Sequence, residues 1–443
     1  MKILVINPAN KPFTNQTILI EPIDILQIAT IIKQKFENVQ VLDMDVLQLE
    51  NNISNHIEDG DICIYVFDYQ LPLHTNQAID NILETVKRSD KKVKNIIIGK
   101  TASYQYKYFM ENGFDIVFAG QCENTICQVI QNIDNIEELK KIPNLYIKEY
   151  NQIIKTEMNK QILFSDFPIP DRSLITLSNY IDTRTMVTSR GCIGTCSFCS
   201  TPYYFGKWQC KNYKDVVDEI ELLVNQFQTK KIMFLDDNMI VDKKRMLMIC
   251  EEIKKRSIHC LFGCLGSISC YDKEMFEKMY QVGFRWIHFG IESGSEDVLK
   301  RMHKKIDLER AKNIIKEVKK LGYRVRNSFI LDYPGTTKED IEKTQQFILE
   351  TMPHEIRLHY LAYRVGTPIF NLSQVDNLTQ YIHSNKPNID NPDLNLPISL
   401  LIQKLNELGY DVIEDQPNWN NYLSTNQKIV AFVPIRYGMN WYE

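Results

Sequence analysis

The sequence predicts an α/β protein: a doubly wound, Rossmann-like domain, then a partial (β/α)6 barrel, then a small C-terminal segment. Three observations predict it. Short apolar runs alternate with amphipathic stretches in two long zones, the pattern of parallel strands joined by helices. A chain of 443 residues exceeds one ordinary core. The junction Phe167-Pro168-Ile169-Pro170-Asp171-Arg172 punctuates the chain between the two zones. The expected division is residues 1–135, a linker with a hairpin over 136–185, a barrel over 186–370 and a tail over 371–443.

In the first zone, residues 2–7, 39–42, 61–67, 95–99 and 115–119 read as strands, with helices over 24–36, 75–89 and 123–132. The first apolar run is too short for a signal peptide. Ligands of such sheets bind at the carboxyl ends of the strands. No Gly-x-Gly-x-x-Gly follows the first strand, so a dinucleotide is not expected. Residues 144–148 and 153–157, turning at Tyr150-Asn151-Gln152, read as the linker hairpin. Barrel strands are expected at 186–189, 231–235, 260–265, 286–291, 325–331 and 356–361, separated by helical patterns. The tail is Asn-rich, with a short helix over 398–408 and no cysteine, which argues against an auxiliary cluster there.

Composition bounds the function. Apolar content of 44% and charged content of 24% are globular values. A net charge of −4 gives no clear nucleic-acid footprint. No stretch reaches the length of a membrane span. Eleven cysteines, an odd number scattered through a long chain, do not form a disulfide framework, so the expected location is cytoplasmic.

The most informative run is Ser-Arg-Gly-Cys-Ile-Gly-Thr-Cys-Ser-Phe-Cys-Ser, which places Cys192, Cys196 and Cys199 on one tight loop. A structural zinc takes four protein ligands, and ferredoxin-type clusters take four cysteines. Three thiolates on a four-iron cubane leave one iron open to an outside ligand. With aromatic Phe198 before the last cysteine, the run resembles the signature of radical S-adenosylmethionine (SAM) enzymes. The resemblance implies a 4Fe–4S cluster held by these cysteines. SAM would chelate the open iron and be cleaved reductively to methionine and a 5′-deoxyadenosyl radical.

Further motifs extend the likeness. Phe289-Gly290-Ile291-Glu292-Ser293 ends the fourth expected barrel strand, with Leu299 and Lys304 also in pattern. By resemblance Glu292 bonds a polar part of SAM and Ser293 lies nearby; the alternative is a helix cap. Phe234-Leu235-Asp236-Asp237-Asn238 matches the second-strand motif, making Asp237 a candidate for the SAM ammonium or substrate, against simple turn chemistry. Asp332, in Ile330-Leu331-Asp332-Tyr333-Pro334-Gly335-Thr336, stands where the family has glycine, and Tyr363-Arg364-Val365-Gly366-Thr367-Pro368 matches the sixth-strand ending. Cys260, Cys264 and Cys270 share one face; burial as small hydrophobes is expected, with Cys264 the weak catalytic candidate.

The first zone resembles the cobalamin-binding domain that precedes the barrel in one radical SAM class. The matching pieces are Asn7-Pro8, Ile98-Gly99-Lys100-Thr101-Ala102 and the run from Asp115 to Glu123. They imply that Gly99, Thr101, Gly120 and Glu123 contact cobalamin. Lys100 replaces a family glycine, Gln121-Cys122 replaces Glu-Gly, and no Asp-x-His-x-x-Gly supplies a cobalt ligand; His74 reads as solvated. The expectation is a cobalamin-dependent methyltransferase acting on an unactivated carbon through a deoxyadenosyl radical and methylcobalamin. It would take a small-molecule or peptide substrate and a reductant such as flavodoxin or ferredoxin. A radical rearrangement, ring contraction or cross-link without methyl transfer is the alternative, and a non-catalytic iron–sulfur protein the further one.

Overall fold

A computed structural model of the chain describes residues 1–8, 19–47, 54–69, 76–89, 91–150, 152–158, 164, 167–371, 392–413 and 429–433. His74 lies outside them. Strands β1 (Ile3–Asn7), β2 (Val39–Asp43), β3 (Ile62–Val66), β4 (Lys94–Ile98) and β5 (Ile116–Phe118) form a parallel sheet ordered β2-β1-β3-β4-β5. β1 and β3 are buried along their whole length, which is why they read as unbroken apolar runs. One face, with Ile3, Val5 and Ile64, packs under the helix Ile23–Lys33; the other, with Leu4, Ile6 and Tyr65, packs against Ile79 and Ile82 of the helix Asn76–Arg88.

The hairpin expected in the linker, β6 (Leu145–Glu149) and β7 (Gln152–Lys155), pairs antiparallel to β5 and extends the first sheet to seven strands. The sequence pattern marked the hairpin but not the strand it pairs with.

The second sheet contains β8 (Thr183–Met186), β11 (Lys231–Phe234), β12 (Leu261–Gly266), β13 (Phe284–Glu292), β14 (Arg324–Ile330) and β15 (Glu355–His359), all parallel. These are the six barrel strands. The first one ends at Met186, and Ser189–Arg190 (β9) instead pairs with Gln209–Cys210 (β10) in a short antiparallel ribbon. The tail adds β16 (Asp411–Ile413) and β17 (Ile429–Val433) beside β15, so it is part of the barrel sheet.

Outward-facing Phe234, Phe262, Phe284 and Phe289 join the core beneath the helices. Inward, Met233, Leu235 and Trp286 meet Ile23 from the first domain and Phe164 from the linker. Arg172, fully buried, ties these segments together. Its guanidinium donates to Glu21 (3.2 Å), Glu219 (3.2 Å) and the Thr185 carbonyl (2.7 Å). Burial opposes its charge, but the two carboxylates outweigh that and hold it protonated.

Candidate active site

The cysteine loop starts at a forced turn. Gly191 has φ +81°, and a Cβ there would stand 2.6 Å from the Lys207 carbonyl oxygen, so only glycine fits. Three residues on, a Cβ at Gly194 would lie 3.6 Å from Cys192 Sγ and 3.8 Å from Cys196 Sγ, which brings these two sulfurs to one side of the loop. The Gly194 N–H donates to Cys192 Sγ at 3.3 Å. Burial pushes the Cys196 thiol up to about 11, partly offset by the ammonium of Lys304. Among the described residues no three His, Cys, Asp or Glu side chains converge on a single metal ion. A cubane gives each thiolate its own iron, so the donor set and its N–H···S bond fit a cluster with one open iron.

Lys304 is a partly buried cation at this end of the barrel. Its Nζ lies 3.5 Å from Glu292 Oε1. Desolvation opposes its charge, yet Glu292 and the three thiols raise its affinity for the proton. Glu292 itself ends β13 with φ +73°, a conformation that non-glycine residues adopt only where the surroundings enforce it. The pairing register shifts between Gly290 and Glu292, and this bulge turns the carboxylate back over Gly290. A Cβ at Gly290 would meet Glu292 Oε1 at 2.3 Å. Glu292 is therefore not the cap of the next helix; Ser295 occupies that position.

The Asp236-Asp237-Asn238 turn divides its labour. Asp236 accepts from the Thr188 N–H (3.0 Å) and Thr188 Oγ1 (2.7 Å), bracing the chain before the cysteine loop. Asn238 Oδ1 accepts from the Ser267 N–H at 3.0 Å. Asp237 Oδ1 accepts from Thr201 Oγ1 (2.8 Å), while its Oδ2 is buried with no hydrogen-bond partner. A buried carboxylate oxygen without a donor is costly and points to a ligand. The Asp237 carboxylate is near enough to the cysteine loop for its charge to oppose ionisation of Cys192.

Other expected residues point elsewhere. Phe198 is half-buried against the helix-side core. The Ser293 hydroxyl accepts from the Ser295 N–H (3.1 Å) and meets Thr344 Oγ1 (3.4 Å), so it organises a turn. Cys264, the weak catalytic candidate, is fully buried among outward-facing aromatics; strand alternation turns it away from Glu292, and burial raises its thiol. Asp332 does not project into the pocket: its Oδ1 accepts from the Leu361 N–H at 2.6 Å and clasps the ends of β14 and β15.

The carboxyl end of the first sheet faces this loop. Gly99 must be glycine for an internal reason, because a Cβ there would fall 1.5 Å from the Phe67 carbonyl oxygen. Thr101 Oγ1 donates to Asp68 Oδ2 (3.1 Å). Glu123 accepts from Tyr69 Oη (2.5 Å) and pairs with Arg190 (2.5 Å), whose guanidinium lies 4.7 Å from the Phe164 ring and 5.0 Å from that of Phe205. Gly120, at φ +143°, has open space where a Cβ would stand, so a bulky group can approach its backbone. Lys100, which stands where the family has glycine, is buried with its Nζ 3.9 Å from Asp68 and 5.5 Å from the Phe205 ring centre. The aromatic box around Arg190 was missed by the sequence, where Arg190 read only as part of a motif.

Comparison with known proteins agrees with this geometry. Residues 186–348 match the family model of the radical SAM superfamily. An uncharacterized methyltransferase of Pyrococcus horikoshii is 28% identical over 57% of this chain and 56% of its own. The chain spans about half to two thirds of the length of the first curated relatives it matches. The radical SAM methyltransferase TsrM from Kitasatospora setae, solved with tryptophan and a SAM analogue, superimposes with a TM-score of 0.66 at 14% identity, covering 80% of this chain and 72% of its own. The cobalamin-dependent radical enzyme OxsB, solved with aqua-cobalamin and SAM, gives 0.66 at 17% identity, covering 98% and 64%. These two likenesses establish a shared two-domain fold. With its three-cysteine loop at the carboxyl end of a six-strand parallel barrel, the chain carries a radical SAM superfamily domain over residues 186–348.

Proposed function

We propose that this chain is a cobalamin-dependent radical SAM enzyme that methylates an unactivated carbon. The carrying observation is the meeting, at one barrel end, of the three cysteines, the Glu292–Lys304 pair and the unpartnered Asp237 Oδ2. In this reading Cys192, Cys196 and Cys199 hold a 4Fe–4S cluster. Asp237 Oδ2 accepts from the SAM ammonium, Lys304 neutralises the SAM carboxylate, and Glu292 bonds the ribose. Gly120 offers open backbone to cobalamin between the domains. When bound, the cluster supplies the electron that cleaves SAM and cobalamin supplies a methyl group; the protein contributes placement and the exclusion of water. The electron comes from a donor such as flavodoxin or ferredoxin in a reducing, cytoplasmic setting. Among the described residues no helix is long and apolar enough to cross a membrane.

A radical transformation without methyl transfer is the second reading. It is favoured by Thr101 and Glu123, which already bond to Asp68 and to Arg190 and Tyr69. Anaerobic reconstitution with iron, sulfide and hydroxocobalamin, then spectra after desalting and assay of SAM cleavage, separates the readings. Near-stoichiometric corrinoid with the cluster supports methyl transfer. Cluster and SAM cleavage without corrinoid leave the second reading. Absence of cluster or of SAM cleavage overturns both.

A further inference from the structure

An electron has to reach the cysteine loop from outside, and much of the loop's surroundings is occupied. On one side Asp236 braces Thr188 and Ser189; on another Arg190 is held by Glu123 of the first domain. The loop meets solvent at Ile193, which is 59% exposed, and at Thr195. Adjoining it is the run Lys300-Arg301-Met302-His303-Lys304-Lys305, basic at every position but Met302.

The two segments are bolted together through backbone. The Ser197 N–H donates to the Met302 carbonyl at 3.0 Å, and the Tyr333 hydroxyl joins Ser197 Oγ (2.7 Å) to the Arg301 carbonyl (3.1 Å). Met302 is buried in the core, and Lys304 turns in to Glu292. Lys300, His303 and Lys305 are exposed, and neither of these lysines enters an ion pair among the described residues. Nearby acids are set apart or engaged. Glu296 and Asp297 occupy the first turn of the helix Glu296–Arg301, with Lys300 and Arg301 in its last. Asp307 caps the next helix by accepting from the Arg310 N–H (2.9 Å), and Glu309 pairs with Lys312 (2.7 Å). Beyond Lys305 the patch runs into a cavity of about 390 Å³, floored by Ile268, Ala311 and Ile314 and edged by Lys305, Asp307 and Arg310.

We propose that the surface formed by Ile193, Thr195, Lys300, His303 and Lys305 docks a small acidic electron-carrier protein. Charge and place together set the occupant. A chain of net charge −4 repels acidic proteins on average, so a local excess of cations selects where one can land. The cavity gives the interface an apolar anchor beside its charges. The partner is oxidised by a single electron, which is received at the cluster; no covalent bond forms or breaks in this step. This deepens the function proposed above and rests on it for the cluster.

The test is calorimetric titration of the reconstituted protein with an acidic flavodoxin and with an acidic ferredoxin, each oxidised, at about 50 and 200 mM salt. At least one carrier should bind, with a Kd that rises with salt as screening weakens the attraction. Reversing both lysines, Lys300→Glu with Lys305→Glu, should weaken binding roughly tenfold, whereas Lys254→Glu on the helix Lys243–Lys255 should leave it unchanged. Melting temperatures report whether the variants fold, and the milder Lys300→Gln with Lys305→Gln serves should the reversal lower them. The double variant should also slow SAM cleavage driven by the reduced carrier and spare cleavage driven by dithionite, which needs no docking. No binding by either carrier, binding indifferent to salt, or an equal Kd in the double variant overturns the inference. Absence of dithionite-driven SAM cleavage in the wild type instead overturns the function proposed above.

Discussion

Arg172 offers the sharpest test of how the two domains are joined. Replacing it by Met keeps most of the side-chain volume and removes the charge between Glu21 and Glu219, both buried. Breaking a buried pair by removing one partner costs about 3–5 kcal/mol. Here two carboxylates lose their arginine, but each keeps a donor: Lys211 Nζ lies 3.3 Å from Glu219 Oε2, and Thr185 Oγ1 donates to Glu21 at 3.0 Å. The expected loss is therefore about 4 kcal/mol. With an unfolding entropy of about 2.1 cal/mol/K per residue, that lowers the melting temperature of a chain this long by roughly 4 °C if it melts as one unit. Calorimetry of the cluster-free protein at neutral pH measures it. The triple variant Arg172→Met, Glu21→Gln, Glu219→Gln removes the stranded charges and should recover most of the loss. A single variant that melts within 1 °C of wild type, or a triple variant no better than the single, would refute the reasoning.

Three further outcomes follow from the barrel. Glu292→Gln should keep the cluster, read as iron content, while the KM for SAM rises roughly 10–100-fold, the worth of a hydrogen bond to a charged group; an unchanged KM removes Glu292 from the SAM site. Gly290→Ala places a methyl 2.3 Å from Glu292 Oε1 and should displace the carboxylate, so its KM should move like that of Glu292→Gln; a normal KM would mean that the bulge adapts. His359 is depressed to about 3 and His288 well below its ordinary value, chiefly by burial. The unfolded chain thus binds protons that the folded chain refuses, and stability present above pH 6.5 is lost as pH falls, by about 1.4 kcal/mol per pH unit per histidine. Denaturant midpoints between pH 7 and pH 5 should fall less steeply in His359→Gln, and an unchanged slope would contradict the burial.

What the sequence made legible is what local pattern encodes. The apolar runs of β1 and β3 and the six barrel strands follow from side-chain periodicity, and Cys192, Cys196 and Cys199 from spacing alone. Partnership across distance was not legible. Residues 144–157 read as a hairpin, but nothing local says that β6 adds to β5. The tail reads as polar and Pro-punctuated, yet β17 pairs with β15, because an edge strand needs only backbone groups to be completed. Polar residues misled most. Asp332, standing where the family has glycine, could be read either as a substrate contact or as a surface change, and one of its oxygens accepts from a backbone N–H instead. Arg172 looked like turn punctuation and is a buried bridge. Only a tertiary structure says whether a carboxylate is already satisfied, and that separates Asp236 from its neighbour Asp237.

That same contrast explains how the cysteine loop can be held from outside itself. A short loop with glycines at 191 and 194 has little intrinsic rigidity. Behind it, Asp236 fixes Thr188 and Ser189 on the barrel side. Arg190, the residue before the turn, is fixed from the other domain by Glu123 and Gln121 and boxed by aromatic rings. Ahead of it, the Ser197 N–H donates to the Met302 carbonyl at 3.0 Å, two residues before Lys304. The loop is thus positioned by three separate elements, one of them in the first domain. A reaction that sets a cluster, SAM and a substrate carbon in line demands placement to fractions of an ångström. The domain junction is therefore part of the site: loss of Glu123 should loosen the cysteine loop even though Glu123 touches none of the cysteines. Glu123→Gln, which keeps the shape and drops the charge, should reconstitute with less iron than wild type under identical conditions, and equal iron would show that the barrel alone holds the loop.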